Sequence, residues 1–269
     1  MILSIDIGGT KTLIATFSET EPTIVEQIKF PTPHDYGDFK IELANNVAKL
    51  STRTFSHCVM AVPGVLDRTQ GIVANLGNLD WENKSIAKDV QEITTCPVVI
   101  ENDAKLAGLG EARNLKDKYK KILYVTVSTG IGIALINDGI IDDAIGDAGG
   151  HDMYVEYDGK RITWEELASG RTIYETYGTK ASDIKDPEIW RTISEKIAVG
   201  LIDLIALLHP EIIVIGGGVG THFDKFEAPL MEALKGYEIE LTEMPRIIQA
   251  QNPEEAVVYG CFELANQQQ

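Results

Sequence analysis

The chain has 269 residues, 44% apolar and 24% charged, with 24 Lys and Arg against 41 Asp and Glu for a net charge of −17. That length suits two domains of ordinary size, and the apolar share is that of a packed protein, not a disordered one. The acidic balance excludes a binder of phosphate backbones, which needs a basic face, so no nucleic acid is expected as partner.

The first expected element is a strand, Ile2 to Ile7, entering Asp6-Ile7-Gly8-Gly9-Thr10-Lys11. No basic stretch or small-residue cleavage site precedes it, so a cytoplasmic location is expected. Two glycines let the backbone approach a ligand and turn its N–H groups outward, a nest for phosphate oxygens. Thr10 adds a hydroxyl and Lys11 a charge, and Asp6 at the strand end can hold Mg²⁺ through water. Gly8, Gly9, Thr10 and Lys11 are thus expected to bind nucleotide phosphate; a plain hairpin turn is the competing reading. A second strand, Thr12 to Phe17, follows.

Phe39, Leu43, Val47 and Leu50 recur at helical spacing and predict a helix over 39–50. His57 to Val62 reads as a buried strand leading into Pro63-Gly64. Cys96 to Ile100 is another, leading into Glu101-Asn102-Asp103-Ala104 and a short helix over 103–114. There Asp103 could take a proton from a substrate hydroxyl while Asn102 holds a neighbouring one. Asn and Asp also cap helices with no chemistry at all, and both readings stand.

The charged stretch Lys118 to Lys121 marks the expected boundary. One domain is assigned to 1–119 plus 252–269, the other to 120–251. Ile122 to Val127 leads into Ser128-Thr129-Gly130-Ile131-Gly132, and a second strand follows from Ile133. The unit repeats the opening of the chain and predicts an internal duplication. Thr129 and Gly130 are expected to grip the same nucleotide from the other side.

His151-Asp152 lies in a glycine-rich loop that is either a substrate wall or simply solvated. Trp164 opens a helix in which Glu165 could reach a substrate or be an ordinary first-turn acid. A long helix is predicted over Pro187 to Leu208, stopping before Pro210. Its apolar run from Ile197 is broken by Gly200 and Asp203, so no membrane partner is expected.

Glu211 to Ile215 enters Gly216-Gly217-Gly218-Val219-Gly220. This is not the GxGxxG spacing of a dinucleotide site; Gly217 and Gly218 read better as a backbone surface for adenosine, or as a strand-to-helix turn. Asn252 is expected to cap a last helix reaching about Ala265. Cys58, Cys96 and Cys261 read as buried thiols, and with no CxxC pair no zinc site is expected.

Taken in order, these motifs resemble the ROK family of sugar kinases and repressors over nearly the whole chain. Asp6 to Lys11 is similar to the family's first phosphate loop, and Ser128 to Gly132 to its second. Val62-Pro63-Gly64-Val65-Leu66-Asp67 resembles a sugar-side turn. Asn75-Leu76-Gly77-Asn78-Leu79-Asp80-Trp81 resembles a segment whose Asn78 would touch sugar. Glu101 to Ala104 with Leu109-Gly110-Glu111 is similar to the catalytic segment, and His209 to Gly218 to the adenosine side.

The resemblance implies an α/β fold of two actin-like (ribonuclease H-like) ATPase domains, with ATP and sugar in the cleft between them. It implies Asp103 as general base; Gly64, Asn78, Asn102, His151 and Glu165 at the sugar; ATP and Mg²⁺; a last helix returning to the N-terminal domain; and a homodimer. Two stretches depart from the family. Tyr157 to Glu165 lacks the cysteines of a structural zinc, leaving the loop to be held by packing, with Trp164 the candidate. Ala148-Gly149-Gly150-His151-Asp152-Met153 lacks a Glu of the sugar segment, and His151 and Asp152 compete for its histidine's place.

The expected activity is ATP-dependent phosphorylation of a hexose, glucose to glucose 6-phosphate. The alternatives are a kinase for fructose, mannose, an N-acetylhexosamine or a β-glucoside, or a non-catalytic sugar-binding regulator.

Overall fold

The computed structural model describes residues 1–76, 79, 81–237, 243–252 and 255–268. The chain divides into two compact units, Met1–Arg113 with Glu254–Gln269, and Asn114–Pro253. Among the described residues no helix is long and apolar enough to cross a membrane.

The first unit runs β1 (Ile2–Ile7), β2 (Lys11–Phe17), β3 (Ile24–Pro31), α1 (Tyr36–Val47), β4 (His57–Val62), β5 (Val65–Asp67), β6 (Ile72–Asn75), α2 (Ile86–Thr94), β7 (Val98–Asn102) and α3 (Asp103–Ala112). Five strands form one sheet in the order β3-β2-β1-β4-β7. The first three are antiparallel neighbours, and β4 and β7 run parallel to β1. Side chains alternate across the sheet, which sorts β1 and β4 into two cores. Leu3, Ile5, Ile7 and Met60 pack with Phe39, Leu43, Trp81 and Val90 on one face. Ile2, Val59 and Ala61 pack with Leu106, Val258 and Phe262 on the other. Helix α1 starts earlier than its apolar spacing predicts because Asp35 caps it, accepting the Asp38 N–H at 3.0 Å.

The second unit runs β8 (Lys121–Val127), β9 (Ile131–Asn137), β10 (Ile140–Ile141), β11 (Tyr154–Tyr157), β12 (Lys160–Thr163), α4 (Trp164–Ala168), α5 (Gly170–Tyr177), α6 (Pro187–Leu208), β13 (Ile212–Gly216), α7 (Gly217–Gly220), α8 (Phe223–Lys235) and β14 (Arg246–Gln249). Its sheet has the order β10-β9-β8-β13-β14, again three antiparallel strands followed by two parallel ones. The duplication legible in the two opening hairpins therefore extends through both sheets.

Helix α6 has the predicted bounds, with Asp186 as cap and Pro187 in its first turn. Trp164 is fully buried against it: Gly200 leaves room for the indole, and Trp164 Nε1 donates to the Lys196 carbonyl at 3.3 Å.

The last helix, α9 (Ala256–Gln267), belongs to the first unit. It starts at Ala256, with Glu255 at its cap, and not directly after Asn252 as expected. Its placement follows packing on α3 instead of local capping, since Gly110 and Gly260 bring the two backbones into contact. Pro253 and Glu254, part of the expected helix start, lie outside the described residues. Cys58, Cys96 and Cys261 are all buried, and burial pushes each thiol pKa up.

Candidate active site

Strands β1, β4 and β7 are parallel and end together: Asp6 pairs with Ala61, and Ala61 with Glu101. Open α/β sheets take ligands at this carboxyl edge, and here it gathers Asp6, Asn102 and Asp103.

The first glycine turn closes with the Gly8 N–H on the Lys11 carbonyl at 2.9 Å. Thr32, buried just past the end of β3, holds that turn from behind. Its hydroxyl donates to the Gly8 carbonyl at 2.8 Å, its N–H donates to the Thr10 carbonyl at 3.1 Å, and Thr12 Oγ1 lies 2.9 Å from its Oγ1. Nothing in the local sequence marked Thr32, because its partners lie far back along the chain, in the β1–β2 turn and at the start of β2. Thr10 and Lys11 are exposed beside the turn.

Asp6 is pushed up from its ordinary 3.8 to about 7, first by burial and then by the Asp103 carboxylate, with Lys29 pulling the other way. Between those values the folded chain holds a proton that the unfolded chain has lost. Stability therefore falls as pH rises through this window. Thermal unfolding from pH 5 to pH 8 should show that loss, and Asp6→Asn should flatten it; an equally steep variant removes Asp6 as the cause.

Asn102 caps α3. Its Oδ1 accepts the N–H groups of Ala104 and Lys105 at 3.0 and 3.2 Å, and its Nδ2 donates to the Gly64 carbonyl at 3.3 Å. The oxygen is thus committed to the helix, and a hydroxyl ligand would meet the amide N–H. Asp103 is the first residue of α3, half-buried, with Oδ1 accepting the Ala104 N–H at 2.8 Å. The helix start favours negative charge there.

Behind Asn102 lies a pair that the sequence reading missed. Arg68 Nε faces both Glu101 oxygens, at 3.1 and 2.9 Å, and its Nη2 also binds Oε1. Glu101 Oε1 accepts the Asn102 N–H at 2.6 Å. Asn78 lies outside the described residues.

In the second unit, glycine-rich segments converge on the β8–β9 turn. The Ser128 N–H donates to the Gly130 carbonyl at 2.8 Å, and the Gly170 N–H to the Ser128 carbonyl at 2.6 Å. A Cβ on Gly149 would stand 2.5 Å from the Ile131 carbonyl oxygen. Gly217 has φ +80, which only glycine adopts freely, and its Cβ would stand 2.5 Å from the Val127 carbonyl oxygen. Gly218, by contrast, has nothing within 4 Å of an added Cβ, an open backbone surface that suits a flat base. Thr129 is exposed at the tip of the turn.

Glu165 braces this turn, its Oε2 accepting the Ile131 N–H at 3.0 Å. A capping box between Thr163 and Glu166 starts α4 just before it and sets its direction. Bracing uses one carboxylate oxygen, a role the sequence reading did not foresee. His151 and Asp152, alternatives in the sequence, are joined in the structure: His151 Nδ1 lies 2.8 Å from Asp152 Oδ1, both are exposed, and this bond pushes the imidazole pKa up.

The model of the ROK family matches residues 2–268. A glucokinase of Halalkalibacterium halodurans is 27% identical over 286 residues, covering 87% of this chain and 85% of that one. An N-acetyl-D-glucosamine kinase of Mannheimia succiniciproducens is 27% identical over 303 residues, covering 98% and 99%. Among solved structures, a ROK glucokinase from Streptomyces griseus in complex with glucose and AMPPNP has a TM-score of 0.82 at 23% identity, covering 99% of both chains. A ROK hexokinase from Thermus thermophilus has a TM-score of 0.80 at 23% identity, covering 100% and 99%. The chain thus has their fold, the two-domain actin-like ATPase fold.

Proposed function

The chain belongs to the ROK family, and from that premise we propose that it is an ATP-dependent sugar kinase, with glucose the favoured acceptor. The observation that carries this reading is the carboxyl edge of the first sheet, where Asp103 opens α3 beside the first glycine turn.

Asp103 removes the proton from a sugar hydroxyl as that oxygen attacks the γ-phosphorus of ATP. The bond to the bridging oxygen breaks, and ADP leaves with its electron pair. In the first unit, Asp103 is the catalytic base, Asn102 and Gly64 serve the sugar, and Gly8, Gly9, Thr10 and Lys11 serve phosphate, the Gly8 N–H itself being held within the turn by the Lys11 carbonyl. In the second unit, Thr129 and Gly130 serve phosphate, Gly217 and Gly218 serve adenosine, and Glu165 and His151 serve the sugar. The Asp6 carboxylate, its pKa raised first by burial and then by Asp103, suits a cation held through water. Mg²⁺ there would neutralise charge on the transferring phosphoryl group.

A second reading, another hexose or an N-acetylhexosamine, is favoured by the exposed His151–Asp152 pair in a loop that departs from the family pattern. A relative named for N-acetylglucosamine matches as closely as one named for glucose. The test is ADP release with MgATP against a panel of sugars. Stimulation by glucose supports the first reading, and by an N-acetylhexosamine alone the second. No stimulation by any sugar in a folded, ATP-binding protein leaves only a binding role.

A further inference from the structure

Arg68 follows β5 at the start of the hairpin turn leading to β6. Asp67 pins this turn by accepting the Gln70 N–H at 2.9 Å. The guanidinium reaches across to Glu101, the residue before Asn102, and grips both carboxylate oxygens. The Glu101 side chain is only 8% exposed, whereas that of Arg68 is 32% exposed.

An ion pair this buried costs roughly as much in desolvation as it returns, so an apolar contact would fasten the hairpin equally well. What a two-pronged grip adds is orientation: a planar fork fixes the plane of the carboxylate it holds. The oriented carboxylate then takes the Asn102 N–H on Oε1. Asn102 in turn caps α3 and donates to the Gly64 carbonyl, in the same 64–68 stretch that carries Arg68. The strand-to-helix junction is thus tied twice to one hairpin, and Asp103 is its next residue.

We infer that Arg68 is a positioning residue: through Glu101 it sets the junction from which Asp103 projects, and it couples the sugar-side turn at Gly64 to the placement of the base. This rests on the kinase reading above for its catalytic consequence, but not for its structural one.

The experiment uses the full chain with Arg68→Lys, which keeps the charge but not the fork, and Arg68→Ala. With MgATP and the sugar that the wild type accepts, turnover is expected to fall about 10- to 100-fold, the scale of a displaced reacting group, with sugar KM changed less than about threefold. Millimolar guanidinium, but not ammonium, is expected to restore part of the turnover of Arg68→Ala. Hydrogen exchange is read on the same variants. Faster exchange confined to the amides of Asn102, Ala104 and Lys105 is expected.

Wild-type turnover in both variants overturns the role in catalysis, and unchanged exchange at the junction overturns the clamp itself. If Arg68→Ala fails to fold, Arg68→Lys decides the matter. A wild type that phosphorylates no sugar overturns the kinase reading alone, and the exchange result still judges the clamp.

Discussion

Asp103→Asn is expected to lower turnover at least ~10²-fold, the smallest loss usual for a general base in proton transfer. The substitution is chosen for what it leaves in place. Asparagine keeps the size of the side chain and an oxygen able to accept the Ala104 N–H, now held at 2.8 Å. The start of α3 and the cap by Asn102 should therefore survive, and binding of sugar and nucleotide should change little. What is lost is basicity at one atom, equivalent to about 2.7 kcal/mol of barrier. Turnover is read by ADP release and binding by calorimetry. Loss of turnover with intact binding assigns the base; turnover near wild type removes Asp103 from that role. The variant also removes the charge that helps to raise Asp6, so the Asp6 titration should fall.

Gly260→Ala is expected to destabilise the first unit by about 2–3 kcal/mol, at the upper end of the overpacking range. Alanine favours an isolated helix over glycine by about 1 kcal/mol, so local propensity predicts the opposite sign. Packing decides against it. A Cβ on Gly260 would stand 2.5 Å from the Leu106 carbonyl carbon and would overlap its oxygen. The obstacle is backbone, which cannot rotate aside as a side chain can. On the facing helix, a Cβ on Gly110 would stand 2.8 Å from the Gly260 nitrogen, so α3 and α9 must separate. Separation opens the core of Leu106, Val258 and Phe262 behind them. The melting temperature should fall by about 8–12 °C, at about 4 °C per kcal/mol for a unit between the 60–100- and 150–250-residue ranges. Gly146→Ala is the control, because nothing lies within 4 Å of its added Cβ. Equal melting of the two variants would refute the contact.

The residues proposed for the candidate site were legible because their signals are local. Asp6, Gly8 and Gly9 follow a β-branched run, and Asn102-Asp103 sits at a strand-to-helix change, so a short window holds both the element and the group. The parts missed are bonds between distant residues. Thr32 holds Gly8 from 24 positions away, Arg68 holds Glu101 from 33, and Glu165 holds Ile131 from 34. None of these pairs has a spacing that a helix or hairpin would impose. Strand β3 escaped notice for a related reason: as an edge strand it alternates half-buried and exposed residues and lacks the continuous apolar run of β1.

The sequence by itself determined the α/β class, the duplicated glycine turns, the extent of α6 and the family, since periodicity, turn chemistry and motif order are properties of neighbours along a chain. Only the tertiary structure decided that α9 begins at Ala256, that Asn102 spends its oxygen on a helix cap, that His151 and Asp152 act as a pair, and that Arg68 and Thr32 stand behind the site. Those outcomes depend on which backbone and polar groups meet across the sheet and between helices. Contacts of that kind are selected by packing and hydrogen-bond satisfaction over the whole domain.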